Sequence, residues 1–176
     1  MKNIVSILSD IDKIDNHNFL ILSDQLEICS IKKNPPINIK KIKEIEKKHS
    51  LKFSDSLINF WENCNGIIFN HYGGTRIYSI NEVDEICSIY RDIVQEGIYF
   101  IGTFDGDILV MDSNQIENEN YILYGDECDL DSLWNLHTNF ENILLRLIQT
   151  GGNKYWDWTP WDIENRKKSS SINIKL

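Results

Sequence analysis

The chain has 176 residues, 41% apolar and 26% charged, ordinary values for a soluble single-domain protein that needs no metal or disulfide to hold its core. Its net charge of −9 is unevenly spread: residues 53–145 hold seventeen acidic and two basic side chains, a balance of −15, against +3 on either side. Such a middle segment repels nucleic acid and anionic membranes and attracts a basic partner.

Taken in order, residues 1–15 predict a short helix with Ile4, Val5, Leu8 and Ile11 on one face. Phe19–Leu22 and Leu26–Ile31 are β-prone runs around Ser23-Asp24-Gln25, the pattern of a hairpin. Lys32-Lys33-Asn34-Pro35-Pro36 is a breaker and marks a junction. Ile37–His49 reads as a helix with a narrow stripe of Ile39, Ile42 and Ile45. Its lysines at 40, 41, 43, 47 and 48 read as a solvated face rather than a phosphate site.

The clearest start and stop signals follow. Ser54 is a good N-cap, Asp55 suits the positive end of the helix dipole, and Phe53 and Ile58 have hydrophobic-staple spacing. Leu57, Phe60, Trp61 and Cys64 share one helical face, and Asn65-Gly66 is expected to end the helix in a left-handed cap before the apolar strand Ile67–Phe69. After a turn at 71–74 and a strand over 76–79, Ser79-Ile80-Asn81-Glu82 has capping-box form. Its helix places Val83, Ile86, Cys87, Tyr90 and Val94 on one face and is expected to run to Gly97. Ile98–Phe104 and Ile108–Met111 are strands joined at Asp105-Gly106, a strong hairpin signal. Tyr121–Tyr124 is a further strand, followed by an acidic loop. Thr138-Asn139-Phe140-Glu141 has the form of a second capping box, opening a helix with Phe140, Ile143, Leu144, Leu147 and Ile148 on its apolar face. A Trp-rich tail follows. The expected fold is α+β, a mostly antiparallel sheet with helices packed on one side. The expected division is an N-terminal extension (1–34), a main domain (35–150) and a tail (151–176).

Chemistry is harder to find. Asp105, Asp107 and Asp112 are the best carboxylates for metal or acid–base work, but Asp-Gly serves a turn on backbone grounds and the spacing is not that of an EF-hand. Asp126, Glu127, Asp129 and Asp131 lack the glycine and closing glutamate of a calcium loop. The four histidines are scattered, and no GxSxG, P-loop or GxGxxG motif is present, so neither an enzyme nor a cofactor is expected. The cysteines at 29, 64, 87 and 128 share no short spacing and read as reduced, mostly buried thiols. No run reaches the ~20 apolar residues of a membrane helix, and polar residues interrupt the first segment, so a cytoplasmic protein is expected.

The stretch from Pro35 to about Gln149 resembles the SUKH superfamily, the Syd and Knr-type homology group. The resemblance rests on ordered features: Pro35-Pro36 before the helical stretch ending in Asn65-Gly66, then Gly73-Gly74, then Ile77 to Val83, then Asp105-Gly106-Asp107 within two strands, then Asn139-Phe140-Glu141 leading the last helix. It implies a protein-binding α+β domain without catalysis, in which Trp61, Asn65, Gly66, Asp105 and Gly106 serve the fold. It also implies an immunity protein that neutralises a cognate toxin, or else a regulatory scaffold. With the acidic middle segment, the expected partner is a basic, nuclease-type toxin, with no nucleic acid or membrane ligand. The expected contact residues are Asp105, Asp107, Glu117, Glu119, Asp126, Glu127, Asp129 and Asp131, with Trp156 and Trp158 of the tail. A metal-dependent hydrolase built on Asp105, Asp107 and Asp112 is the remote alternative.

Overall fold

The computed structural model describes residues 3–12, 18–22, 26–70, 74–104, 106–118, 120–152 and 154–155. In chain order the elements are α1 (Ile4–Asp12), β1 (Asn18–Leu22), β2 (Leu26–Lys33), α2 (Ile39–His49), α3 (Asp55–Asn63), β3 (Ile67–Asn70), β4 (Thr75–Ile77), α4 (Ile80–Ile89), β5 (Ile98–Phe104), β6 (Asp107–Asp112), β7 (Ile122–Asp126), β8 (Trp134–Asn135) and α5 (Phe140–Gln149). Two short 3-10 segments, Ser113–Asn118 and Leu130–Ser132, flank β7.

The strands form one sheet in the order β1 to β8, and every pairing is antiparallel. The fold is therefore α+β. The β1–β2 hairpin does not stand apart from it: Ile31 and Lys33 of β2 face Phe69 and Ile67 of β3. The N-terminal helix also joins the core, with Ile4, Ile7 and Leu8 buried. Val5, expected inside, is 49% exposed, because the inward face of so short a helix is set by its docking on α3 rather than by a perfect stripe.

Local capping explains most helix starts. Asn38 caps α2, accepting from Lys40 N at 2.9 Å, and Ser54 caps α3, accepting from Leu57 N at 3.3 Å. Ser79 and Glu82 form the complete capping box of α4. The cap of α5 is Asn139, not Thr138: its side chain accepts from Asn142 N at 3.0 Å, so the capping box expected there does not form. Two ends also differ from expectation. Helix α4 stops at Ile89 and continues as turns, although Val94 still packs against the core. Helix α3 ends at Asn63 with Cys64 extended, at φ −158°. Gly66, at φ +101°, serves a close approach instead, since a Cβ there would lie 2.9 Å from Ser79 N. Asn65 is buried, and its Oδ1 accepts from Ile80 N at 2.9 Å, which ties the end of α3 to the start of α4.

The core centres on α3. Leu57, Phe60 and Trp61 are fully buried, each removing enough apolar area to stabilise the fold by about 2–3 kcal/mol. Phe53 packs edge-on to Trp61 and Tyr99, with centroids 5.0 and 5.2 Å apart, and Phe60 packs on Phe140 of α5 at 5.3 Å. Trp61 Nε1 donates to Tyr78 O at 3.0 Å. Tyr99 and Phe100 point to opposite faces of β5. Phe53, just before α3, therefore covers one face, and Tyr90, 4.9 Å from Phe100, covers the other. That double cover is why Ile108 to Met111 of β6 are all buried and read as an unbroken apolar run. A register shift between Phe100 and Gly102 leaves Ile101 as the extra residue of a bulge, and its carbonyl accepts from Tyr78 N at 2.8 Å.

Candidate interaction surface

Of the carboxylates that the sequence offers for contact, the structure gathers one group and separates another. Asp107, the first residue of β6, stands directly opposite Asp126, the last of β7. Glu127, Asp129 and Asp131 follow in the loop that leads to β8, and all three are exposed. Glu117 lies beyond the other end of β6, roughly 17 Å away at ~3.4 Å per residue, in the 3-10 segment. The same distance parts Asp107 from Asp112, too far for one ion or a shared acid–base pair. Asp105, Glu119, Trp156 and Trp158 lie outside the described residues.

The members of the group are not equally available. Asp107 is only partly exposed, and its carboxylate accepts from Tyr124 Oη and pairs with Lys154 Nζ. Partial burial works against its ionisation, but the hydrogen bonds from Lys154 and Tyr124 outweigh this and hold the carboxyl below its ordinary value. A carboxyl depressed on folding stabilises the protein above its unfolded pKa of about 4, and that contribution is lost as the pH falls through the folded value. Thermal melts of wild type and Asp107→Asn from pH 7 to 2.5 should therefore differ most at neutral pH and converge in acid. A gap that stays constant would mean that the ion pair contributes nothing. Glu127 accepts from Tyr90 Oη, a bond that helps push the tyrosine hydroxyl up to about 12. Asp126 Oδ1 accepts from Cys128 N at 2.8 Å and caps the turn. Asp129 and Asp131 have no side-chain partner among the described residues.

The acidic balance of the middle segment is smaller in space than along the chain. Lys48 of α2 lies 2.6 Å from Asp84 of α4, Lys52 lies 2.5 Å from Glu117, and Arg76 lies 3.1 Å from Glu82. His49, buried at 4% exposure, also meets Asp84, at 2.7 Å. Asp84 is partly buried, which opposes ionisation, yet the hydrogen bonds from Lys48 and His49 hold its carboxyl below the ordinary value. Lys48 of α2 and Lys52 just after it thus pair with carboxylates far off in the sequence, whereas Arg76 pairs within the acidic segment itself. Among the described residues the loop from Asp126 to Asp131 stays without an ion pair, as do the separate exposed carboxylates Glu62, Glu85, Asp92 and Glu96.

That loop carries a residue that sequence reasoning missed. Trp134 of β8 is 70% exposed at the edge of the sheet, three residues after Asp131. It is not among the contact residues expected from the sequence, and no local pattern signals that it faces water. The loop itself is pressed against the sheet: Leu130 and Leu133 are half-buried, and a Cβ on Gly125 would meet Leu133 Cδ2 at 2.8 Å. Of the thiols described, Cys64 is buried, Cys87 half-buried and Cys128 exposed in the same loop. Burial pushes the Cys87 thiol up to about 12.

The start of the tail is held as well. Thr75 Oγ1 donates to Gly152 O at 2.8 Å, and Arg146 lies 5.4 Å above the ring of Tyr155, whose hydroxyl burial pushes up to about 12. Among the described residues no group of three His, Cys, Asp or Glu side chains is arranged around a common centre, and no helix is long and apolar enough to cross a membrane.

An acidic loop and an open tryptophan thus stand together at the β8 side of a single-sheet α+β domain. The family model of the SMI1/KNR4 family (SUKH-1) matches residues 36–146, from just before α2 into α5, and the chain belongs to that family. Its members bind partner proteins and are broadly immunity-protein-like. No curated protein matches the chain.

Proposed function

We propose that this protein is an immunity protein that binds and blocks a basic, nuclease-type toxin by covering its active site. The observation that carries the reading is the uncompensated carboxylate loop at the β7–β8 end of the sheet, within a family of partner-binding proteins. A nuclease must present Lys and Arg where it holds phosphates, and a rigid acidic protein surface meets the same groups. Charge complementarity of this kind speeds encounter toward ~10⁸ M⁻¹s⁻¹ at low salt, while affinity depends on a few covered anchors.

The test is co-expression with the toxin encoded beside this gene. Restored growth and a stoichiometric complex on a sizing column are expected. A complex without rescue would instead favour a regulatory or scaffold role, and neither rescue nor complex would end the immunity reading.

A further inference from the structure

We infer that β8 and the loop before it are the docking surface for a basic protein partner, with Trp134 as the anchor and Asp129 and Asp131 as its flanking charges. This deepens the immunity reading and rests on it.

The argument starts from an exposure that needs a reason. Trp134 is 70% exposed, and its indole N–H has no partner among the described residues. Trp is the residue most enriched among interface anchors, because it covers a large apolar area and keeps one donor. Its cross-strand neighbour is Tyr124, which is buried, so Trp134 lies at the margin where the covered face of the sheet meets water. Strand β8 pairs with β7 on one side and, among the described residues, ends the sheet on the other.

The charge around it says what kind of partner fits. Asp129 and Asp131 stand exposed on either side of Leu130, which packs inward, so the loop turns its acids out and its leucine in. The loop is already ordered against Gly125, and binding then spends little conformational entropy on it. An Arg of the partner can stack its guanidinium on the indole and fork to a carboxylate, which a Lys does less well. Nucleic acid and anionic lipid present the wrong sign of charge. Glu117 is not part of this surface: it is paired with Lys52 at the far end of β6.

The test uses the full chain and the catalytically inactivated toxin domain encoded beside it. Trp134→Ala should leave the melting temperature unchanged and weaken the complex by about 30-fold or more, chiefly through faster dissociation. Asp129→Asn with Asp131→Asn should slow association several-fold and flatten its salt dependence, while Glu44→Gln on α2, the same type of charge change, should do neither. In the free protein, the fluorescence component lost in Trp134→Phe should be open to acrylamide. Wild-type affinity in Trp134→Ala overturns the surface and leaves the immunity reading standing. No complex with wild type overturns both. A Trp134 component already shielded in the free protein, whether by the chain's own residues 156–176 or by a second copy at rising concentration, also overturns the assignment.

Discussion

Replacing Trp61 by Ala should cost about 4–5 kcal/mol, a third or more of the 5–15 kcal/mol that holds a typical domain together. The indole is fully buried and packs on Phe53, and its Nε1 supplies the hydrogen bond to Tyr78 O at 3.0 Å. The loss has two parts that a second variant separates. Trp61→Phe keeps most of the apolar volume but leaves the Tyr78 carbonyl facing the core without its donor, worth about 1–3 kcal/mol. Urea unfolding midpoints of the three proteins check this. If Trp61→Phe is as stable as wild type, the hydrogen bond carries no weight and only packing remains.

Gly66→Ala should cost about 3–4 kcal/mol for a different reason. The residue sits at φ +101°, where an L side chain is strained by about 1–3 kcal/mol. Its new methyl would also stand 2.9 Å from Ser79 N and 3.2 Å from Ile77 O, both backbone atoms that cannot swing away. Moving them would pull on the bond from Ile80 N to Asn65 and on the capping box of α4. Gly106→Ala is the control: φ is +89° there, but a Cβ would meet nothing within 4 Å, so only the strain applies. Equal losses at the two glycines would remove the steric part of the argument.

The legible parts of the fold are those set by neighbours in the chain. Ser54, Ser79 and Glu82 announce their helices because a cap needs only a hydroxyl or carboxylate a few residues from an orphan N–H. The apolar face of α5, from Phe140 to Ile148, is buried as its spacing predicts. Thr138 misled because Thr and Asn are both good caps and stand side by side; the backbone geometry at Asn139 decides between them. What distance in sequence hides is different in kind. The pairing of β2 with β3 and the contact of Lys48 with Asp84 join residues that no local pattern links. Strand β8 has two residues, too few to show any period. The acidic loop could be read directly, but Trp134 could not, because its exposure follows from standing on the last strand of the sheet.

In the sheet, each strand lies beside the one before it and the one after it along the chain, with α2 and α3 set between β2 and β3. Most of the pairings can therefore zip up hairpin by hairpin, and two longer closures, across α2 and α3 and across α4, join these units. The same serial order sets each margin of the sheet between a core helix and its neighbouring strand: α1 leads into β1 and docks on α3, and α5 follows β8 and packs on Phe60, so both outermost strands are tethered to the interior.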